Sequence, residues 1–255
     1  MTLTLILTRR TLLRTGLAGA GGLLLPGCDR LIDNPAVRGT LESAEDLHRI
    51  TQRALGGSAL AREYGEAEMS PVFRANGSRE VSDPVYRRHF SQGFANWSLA
   101  LEGLVERPLA VPLHALRTLP QRAQITRHDC VEGWSAIGRW QGPRLATLLD
   151  MARLKPQARF LVFHCADLYH GRPYYESIDL ADAFHPQTIL AWSMNGRPLD
   201  EAHGAPLRLR VERQLGYKHA KFVTRIEAVA TLAGIHGGRG GYWEDNGAYA
   251  WYAGI

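Results

Sequence analysis

The sequence predicts an α+β domain of mixed strands and short helices. The chain has 255 residues, of which 45% are hydrophobic and 22% charged, and this is the composition of a globular protein with a full core. Some segments repeat apolar residues at every second position, as strands do, whereas others repeat them with the period of an α-helix. The two kinds of segment follow one another irregularly, and no segment is repeated. One domain with elaborations fits this length as well as two domains do.

The first 25 residues carry the pattern of an export signal. Residues 8–14 read TRRTLLR, a twin-arginine pattern, and a short Gly-rich apolar run follows from residue 15 to residue 25. This run is too short to span about 30 Å of hydrocarbon as a helix, so the pattern predicts export rather than a membrane span. Twin-arginine export moves folded proteins, and its usual rationale is a cofactor inserted in the cytoplasm.

The next motif predicts a lipid anchor. Leu25-Pro-Gly-Cys28 resembles a lipoprotein box, with Cys28 as the acylated first residue of the mature chain, although Pro26 stands where a small residue is usual. Acylation would hold the protein at a membrane surface, and Asp29 resembles the signal that retains lipoproteins at the inner membrane. The alternative is a soluble periplasmic protein cleaved nearby. Residues 1–27 are therefore interpreted as a twin-arginine signal outside the fold.

Charge and cysteine content exclude several classes of protein. Residues 1–27 contain three arginines and no acid, so the formal net charge of +5 falls to +2 for the remaining 27 basic and 25 acidic groups. This balance, without any Lys/Arg-rich run, argues against a nucleic-acid partner. The three cysteines form no C-x-x-C motif, which argues against a zinc ribbon, an iron–sulfur cluster, a disulfide scaffold and an attached c-type haem.

Residues 28–70 are predicted to form an N-terminal helical arm that packs on the main body. Ser43-Ala-Glu-Asp46 is a capping box, and apolar residues follow at helical spacing until Gly56-Gly57, which predicts a helix over this range. A second short helix is predicted from Ser58 to Glu66. The turn-rich, polar segment from Pro71 to Phe90 is predicted to be a loop.

The remaining elements belong to the main body. Short helices are predicted at 113–119, 143–152 and 181–184, and Asn195-Gly196 is a strong signal for a two-residue turn. The tail from Gly234 is rich in glycine and aromatic residues without periodicity, and an ordered loop is predicted there. Strands are predicted at 97–101, 121–128, 158–165, 174–180, 189–194, 207–211 and 222–232.

One stretch, residues 124–140, combines the features of a metal site. Cys130 is placed at the end of a predicted strand, and a thiolate is a soft ligand that suits soft or high-valent metals. The preceding Arg127 and His128 are expected to favour the thiolate over the thiol. Glycines such as Gly133 let the backbone approach a bulky ligand. From spacing alone, a free cysteine at a strand-to-loop junction is the alternative.

The residues around this cysteine resemble those of a known family. Cys130-Val-Glu-Gly-Trp-Ser135 resembles the molybdenum-binding segment of the sulfite oxidase superfamily, and His203-Gly-Ala-Pro-Leu-Arg208 resembles its His-Gly-x-Pro-x-Arg element. The segments from Tyr174 to Leu199 are similar almost position by position, so the resemblance covers about residues 71–232. It is closest to bacterial periplasmic reductases that act on methionine sulfoxide. The resemblance implies a sulfite-oxidase-type molybdopterin-binding domain at 71–255, with Mo-molybdopterin as cofactor.

The resemblance also implies roles for single residues. Cys130 would ligate the metal, and Tyr174 would stand near the metal's oxygen ligands, with Tyr175 as a rival for that role. A pyranopterin carries a phosphate, to which Arg208 offers a bidentate fork and Lys221 a point charge. The residues that are implied to contact the cofactor are Asn76, Cys165, His203, Arg208, Lys218, His219, Ala220 and Lys221.

Two alternatives compete with these roles. Lys218, His219 and Lys221 also fit a solvated basic face without any ligand. A disulfide between Cys130 and Cys165 is allowed by an oxidising periplasm, but it would destroy the metal ligand.

One departure from the family bears on the substrate. Sulfite oxidases carry an arginine pair four and five residues after the metal cysteine, which helps to hold an anionic substrate, whereas this chain has Trp134 and Ser135 there. Tryptophan suits a neutral, apolar sulfoxide, and this favours the reductase branch, with Arg139 as a possible substitute for the missing arginine.

The sequence therefore predicts an exported molybdopterin oxidoreductase that transfers an oxygen atom and two electrons, with a sulfoxide as the small-molecule substrate. Because no haem or iron–sulfur motif is present, a separate carrier is implied, either a membrane haem protein or a c-type cytochrome. The alternatives are a sulfite oxidase-type dehydrogenase, a non-catalytic periplasmic binding lipoprotein, and a zinc protein. The zinc ligands would be Cys130, Cys165 and some of His128, His164 and His170.

Overall fold

The computed structural model describes residues 34–56, 59–247 and 249–255. The predicted export signal and the lipoprotein cysteine, Cys28, lie outside these residues. The chain divides into two compact units, one that ends at Leu55 and one from Gly56 to Ile255. Among the described residues, no helix combines the length and the apolar character needed to cross a membrane.

Helix α1 (Pro35–Gly56) dominates the described part of the first unit. The sequence correctly predicted its end, but its start was wrong, because the helix begins at Pro35 and not at the capping box of residues 43–46. The Ser43 hydroxyl donates to the Thr40 carbonyl at 2.7 Å, as serine does inside a helix. A proline is well tolerated at the first helical position, since its missing N–H has no helical partner there.

The second short helix of the predicted arm, from Ser58 to Glu66, was also wrong. Residues 59–65 contain no helix but an isolated antiparallel bridge between Glu63 and Thr126, and the Tyr64 N–H donates to the Ile125 carbonyl at 2.9 Å. A 3₁₀ turn follows at Glu66–Glu68. Backbone pairing with the main body therefore replaces the local helix.

A five-stranded sheet forms the larger layer of the second unit, in the order β2–β1–β11–β5–β6. The β1–β11 pair is parallel, and the other pairs are antiparallel. The strands predicted at 97–101, 158–165, 174–180 and 222–232 are confirmed here, whereas β2 was not predicted. The strands are β1 (Ser98–Gly103), β2 (Leu109–Pro112), β5 (Phe160–Tyr169), β6 (Arg172–Asp179) and β11 (Val223–Val229).

A second sheet, in the order β3–β4–β8–β9, carries the cysteine stretch. Its strands β3 (Gln121–Cys130) and β4 (Trp134–Pro143) pair along their whole length, so the chain turns back directly after Cys130. The sequence predicted β3 but not β4, whose pattern is interrupted by glycines. Gly142 is required by packing, because a Cβ there would lie 1.9 Å from the Leu190 carbonyl oxygen.

The strand predicted at 189–194 is divided between two sheets. Its first part, β7 (Ile189–Ala191), pairs with β10 (Arg208–Arg210), which confirms the strand predicted at 207–211. Its second part, β8 (Ser193–Met194), pairs with β4 and then with β9 (Arg197–Pro198), across the predicted Asn195-Gly196 turn.

The predicted helices of the main body are confirmed as α3 (Leu113–Thr118), α4 (Leu145–Ala152) and α5 (Leu180–Ala183). Two segments predicted as loops contain helices instead. In α2 (Pro84–Ser91), the Asp83 carboxylate accepts from the Tyr86 N–H at 2.8 Å, so Asp83-Pro84 is a helix start and not a turn. The tail contains α6 (Tyr242–Asn246).

Candidate active site

A cavity of about 220 Å³ lies at the end of β3, beside Cys130. The sequence-predicted site residues that line it are Asn76, Cys130, Tyr174, His219 and Lys221. The others, which are not part of the lining, are Cys165, His203, Arg208, Lys218 and Ala220.

The Cys130 side chain is largely buried, with 9% of its surface exposed, and it is a free cysteine, as is Cys165. The expected effect of its two neighbours was wrong, because burial raises the pKa of the Cys130 thiol. Strand alternation explains this. Arg127 lies on the opposite face of β3 and pairs with Asp129 at 3.0 Å, while His128 is kept neutral by its surroundings.

His128 shares the face of Cys130 and is buried. Its Nδ1 lies 3.0 Å from an Arg210 Nη1, so it accepts that hydrogen bond and the proton belongs on Nε2. Burial lowers the pKa of His128 well below its usual value, and the charges of Arg210 and Arg208 add to this effect. The Nε2 has no partner. His128 therefore presents an unused N–H donor in the interior.

The turn at 216–219 approaches His128 closely. A Cβ at Gly216 would lie 2.6 Å from His128 Nε2, so only glycine fits there. The His219 ring stands edge-on to the His128 ring, with centroids 5.1 Å apart. His219 Nε2 donates to the Gln214 carbonyl at 3.0 Å, and burial lowers the pKa of His219 well below its usual value. Its Nδ1, which has no partner, is therefore an unused acceptor.

Arg208 is fully buried in β10 and is short of partners. One Nη1–H donates to the His203 carbonyl at 3.1 Å, whereas Nε and Nη2 have no partner. Its guanidinium lies 4.9 Å from the Trp140 ring centroid. Burial, reinforced by the Arg210 charge, lowers the pKa of Arg208 to about 9, so the side chain is still charged at neutral pH. Among the described residues, no carboxylate pairs with it.

Lys221 lies in the cavity lining and, like Arg208, has a charged group that is not paired with a carboxylate of the described residues. Its Nζ donates to the backbone carbonyls of Asn76 at 2.6 Å and Ala202 at 2.9 Å, and also to that of Ser78. Within the described part of the chain it has no carboxylate in ion-pair contact. Burial, reinforced by the Arg208 charge, lowers the pKa of Lys221 to about 7.

Lys218 differs from Lys221 although both belong to the same short segment, residues 216–221. Its Nζ lies 2.6 Å from a Glu176 carboxylate oxygen and 2.5 Å from a Glu244 carboxylate oxygen, and all three side chains are buried. The alternative prediction that these residues form a solvated basic face was wrong, because Lys218, His219 and Lys221 are at most 7% exposed. The role predicted for Lys218 in cofactor binding stays a prediction, and its ammonium is occupied by the two carboxylates.

The remaining predicted residues lie outside the cavity lining and make contacts of their own. His203 Nδ1 lies 2.7 Å from an Asp200 oxygen and Nε2 lies 3.1 Å from the Phe73 carbonyl, so its ring is fully engaged. The Ala220 carbonyl accepts from the Leu209 N–H at 2.8 Å, which fixes the turn against β10. Burial raises the pKa of the Cys165 thiol well above its usual value.

The two tyrosines of β6 point to opposite faces. Tyr174 lines the cavity, and its hydroxyl donates to the Tyr217 carbonyl at 3.0 Å. Tyr175 hydrogen-bonds Asp245 instead and lines a different, neighbouring pocket. The geometry therefore favours Tyr174 over its rival.

Sequence reasoning missed several residues of the lining. Glu132 follows the cysteine within the motif and accepts from Trp134 Nε1 at 3.0 Å, so the motif itself could have revealed it. Asp167 is 3% exposed, and burial raises its pKa. The aromatic residues had no sequence signal, because they come from distant segments. The missed members of the lining that carry side-chain chemistry are Ser78, Glu132, Asp167, Tyr169, Tyr217, Trp243 and Tyr249.

These features define a class of site. A thiol stands beside buried cations that lack carboxylates and beside ring nitrogens that lack partners. Such an arrangement suits an anionic cofactor with many hydrogen-bonding groups and a soft metal. Among the described residues, no group of three His, Cys, Asp or Glu side chains is placed to hold a metal ion by protein ligands alone, so the zinc alternative has no support.

Comparisons with known proteins identify the family. Residues 87–233, more than half of the chain, match the oxidoreductase molybdopterin binding domain. The chain is 36% identical over 250 residues to YedZ1 of Azospira oryzae, provisionally named a protein-methionine-sulfoxide reductase subunit, and the match covers 96% of this chain and 87% of that protein. The chain belongs to the molybdopterin-binding oxidoreductases, and the resemblance to the sulfite oxidase superfamily is confirmed.

Two further proteins are similar over a shorter range. MsrP of Campylobacter jejuni, a protein-methionine-sulfoxide reductase catalytic subunit, is 32% identical over 144 residues, which is 52% of this chain and 48% of that protein. The sulfane dehydrogenase SoxCD of Paracoccus pantotrophus superposes with a TM-score of 0.49 at 24% identity, covering 54% of this chain and 39% of that one.

The described residues fit molybdopterin, the cofactor of this family. Its phosphate needs cationic donors. Lys221 lies in the lining, and Arg208, which is buried outside the lining, has two nitrogens without a hydrogen-bond partner. Its pterin ring presents donors and acceptors, and the His219 and His128 rings leave one acceptor and one donor unused. A soft metal needs a thiolate, and Cys130 would supply one once coordination removed its proton.

Proposed function

We propose that this chain reduces neutral sulfoxides to sulfides by two-electron oxygen-atom transfer. The observation that carries the proposal is the absence of arginine from the cavity lining, within the described part of the chain. The possible substitute, Arg139, pairs instead with Glu66 at 2.8 Å and lines a different pocket. A wall with tyrosines and a tryptophan suits a neutral substrate better than sulfite. The names of YedZ1 and MsrP point to the same substrate class.

The described residues divide the work in this proposal. Cys130 is the metal's protein ligand, Arg208 and Lys221 hold the phosphate, and His219 and Asn76 contact the pterin. When bound, the cofactor would supply the two-electron redox chemistry. The Tyr174 hydroxyl, whose single proton is donated to the Tyr217 carbonyl, orients the substrate oxygen when that proton turns into the cavity. Overall, a sulfoxide takes up two electrons and two protons and releases a sulfide and water.

Export and electron supply complete the proposal. The twin-arginine pattern and the box before Cys28 support a periplasmic protein that is anchored to the inner membrane by a lipid. Its relatives are named as subunits, which supports a separate electron carrier, with a membrane haem protein preferred over a soluble c-type cytochrome. Mass spectrometry of membrane-extracted protein would show an acylated Cys28. An unmodified mature N-terminus at another residue would contradict the anchor.

Elemental analysis and turnover test the function together. Full-length protein purified from cells with an intact export signal is expected to contain molybdenum and to oxidise a reduced viologen dye when methionine sulfoxide is added. Sulfite oxidation with an artificial acceptor is measured in parallel. Sulfite oxidation without sulfoxide reduction would assign the chain to the dehydrogenase alternative, and protein without molybdenum would support the binding lipoprotein.

The two free cysteines provide a matched pair of variants. Cys130→Ser should abolish turnover and the thiolate-to-metal absorption band while much of the pterin is retained, because the pterin has other contacts. Cys165→Ser should stay substantially active, since Cys165 lies outside the lining. An active Cys130→Ser protein and an inactive Cys165→Ser protein would show that the site is built around the other sulfur.

A further inference from the structure

The C-terminal segment, residues 234–255, lies beyond the range that matches the family domain, and yet it contributes to the cavity. Trp243 and Tyr249 line the cavity. Their rings are stacked, with centroids 5.4 Å apart and an interplanar angle of 19°, and Tyr249 stands edge-on to Tyr217 at 5.0 Å. The family domain alone would therefore leave the cavity without these two aromatic rings.

Backbone contacts tie the segment to the turn that also carries His219. The Tyr217 hydroxyl donates to the Ala250 carbonyl at 2.6 Å. The Leu215 N–H donates to the Ala253 carbonyl at 2.9 Å, and the Ile255 N–H donates to the Arg213 carbonyl at 3.0 Å. The end of the chain is therefore ordered against the same loop on which the cofactor contacts are proposed.

A buried ion-pair cluster, Glu176–Lys218–Glu244, ties α6 to this loop from within. Glu244 follows Trp243 directly and is 1% exposed. A buried carboxylate without a cation is costly, so α6 must keep the orientation in which Glu244 reaches Lys218. Because the indole is attached to the neighbouring residue of this short helix, the same orientation places Trp243 against the cavity.

We propose that the C-terminal segment forms the substrate-binding wall of the site, in which Trp243 and Tyr249 accept the apolar groups of a neutral sulfoxide, and that Glu244 is the positioning residue that holds Trp243 there. The inference rests on the proposed function for its substrate class. Aromatic faces offer apolar contact and favour sulfur at close range. A charged substrate such as sulfite would gain nothing from them.

The first test replaces the proposed wall. In full-length, molybdenum-loaded protein, Trp243→Ala should raise the KM for methionine sulfoxide about tenfold, with little change in kcat and in molybdenum content, and Trp243→Phe should recover most of the loss. Ile255→Ala, at an exposed position of the same segment, is the matched control. An unchanged KM in Trp243→Ala would overturn the proposal.

The second test addresses the positioning residue. Glu244→Ala leaves Lys218 paired with Glu176, so the protein should fold. It should nevertheless raise the KM as Trp243→Ala does and make residues 234–255 accessible to limited proteolysis. Glu244→Gln, which can still accept a hydrogen bond from Lys218, should restore protease resistance and KM. A protease-sensitive tail with an unchanged KM would show that the segment is only structural.

Binding without turnover separates this inference from the proposed function. Saturation-transfer NMR with methionine sulfone, a mimic of the substrate, should detect binding to the wild-type protein and a clear loss in Trp243→Ala. If the wild-type protein reduces no sulfoxide, the proposed function fails. If it reduces sulfoxides but neither variant changes KM or sulfone binding, only the C-terminal wall is rejected.

Discussion

Lys218 and Lys221 are three residues apart and both are buried, but Lys218 is surrounded by carboxylates and Lys221 by backbone carbonyls. Lys218 is held by Glu176 and Glu244. Burial alone would lower the pKa of Lys218, but the two carboxylates outweigh this effect and the pKa is raised. The hydrogen bonds of Lys221 to the described residues all go to backbone carbonyls, and burial lowers its pKa to about 7.

This difference separates scaffold from site. A buried cation that already has carboxylate partners stabilises the fold. Removing it leaves the buried carboxylates without a counter-charge and lowers the free energy of unfolding. A buried cation without a carboxylate destabilises the fold unless a bound anion compensates its charge. Such groups are characteristic of functional sites. Lys218 fits the first description. Arg208 and Lys221, which are proposed to bind the cofactor phosphate, fit the second.

The largest effect is expected from Lys218→Met. The substitution leaves two carboxyl groups buried without a cation, which should lower the free energy of unfolding by about 3–5 kcal/mol at pH 8. The loss should be smaller at pH 5, where the buried carboxyls can take up protons. Urea unfolding of both proteins at the two pH values measures it.

Lys221→Met is the control for this comparison. It removes a cation that no carboxylate needs, so the cofactor-free protein should lose much less stability than Lys218→Met does. Equal losses of unfolding free energy in the two variants would mean that Lys218 and Lys221 do not differ as a structural and a ligand-binding lysine.

The next effect concerns the cofactor. Arg208→Ala should lower molybdopterin content in the folded protein, because the phosphate would lose charged hydrogen bonds worth about 1.5–3 kcal/mol each. Molybdenum analysis and extraction of the fluorescent pterin measure the content. Arg225→Ala is the control, since this arginine makes a partly exposed ion pair with Glu102 at 2.9 Å and such pairs contribute little. Full occupancy in Arg208→Ala would refute the assignment.

Much of the architecture was predictable, because its signals are local. Cys130 at the end of a strand, the turn at Asn195-Gly196 and the alternating β10 all follow from short-range patterns. Strand β4 was missed because Gly142 reads as a strand breaker, whereas its missing side chain makes room for the Leu190 carbonyl. Helix α2 was missed because Asp83-Pro84 serves both turns and helix starts.

The candidate site was predictable only where a motif carried it. Arg208 and Lys221 were found through the family resemblance. The buried pairing of Lys218 with Glu244 was not, since it joins residues that no sequence pattern links. Trp243 and Tyr249 were missed for the same reason. The prediction that Arg127 lowers the pKa of the Cys130 thiol was wrong, because strand alternation places the Arg127 side chain on the opposite face, where it pairs with Asp129.

A pH dependence distinguishes the two lysines further. The folded pKa of Lys221, about 7, lies below the unfolded value of about 10.4. Between these values the unfolded chain binds more protons, so the unfolding free energy of the cofactor-free protein should rise with pH, by at most about 1.4 kcal/mol per pH unit. Urea unfolding at pH 6.5, 8 and 9.5 should show this rise in the wild type and not in Lys221→Met. A rise of the same size in Lys221→Met would assign it to another group.

The smallest effect is expected from Glu176→Gln. This variant tests whether Lys218 needs the negative charges of both Glu176 and Glu244, or only one of them. Burial, with the neighbouring Glu244 carboxylate, raises the pKa of Glu176 well above its usual value. The folded state therefore holds a proton that the unfolded chain releases, and this contribution to stability is lost as the pH rises from about 4.5 towards the folded pKa. Glutamine removes the dependence and still accepts a hydrogen bond from Lys218, so at pH 8 the variant should be as stable as the wild type or more stable by about 1 kcal/mol. A loss as large as that of Lys218→Met would show instead that both carboxylates are needed as charges.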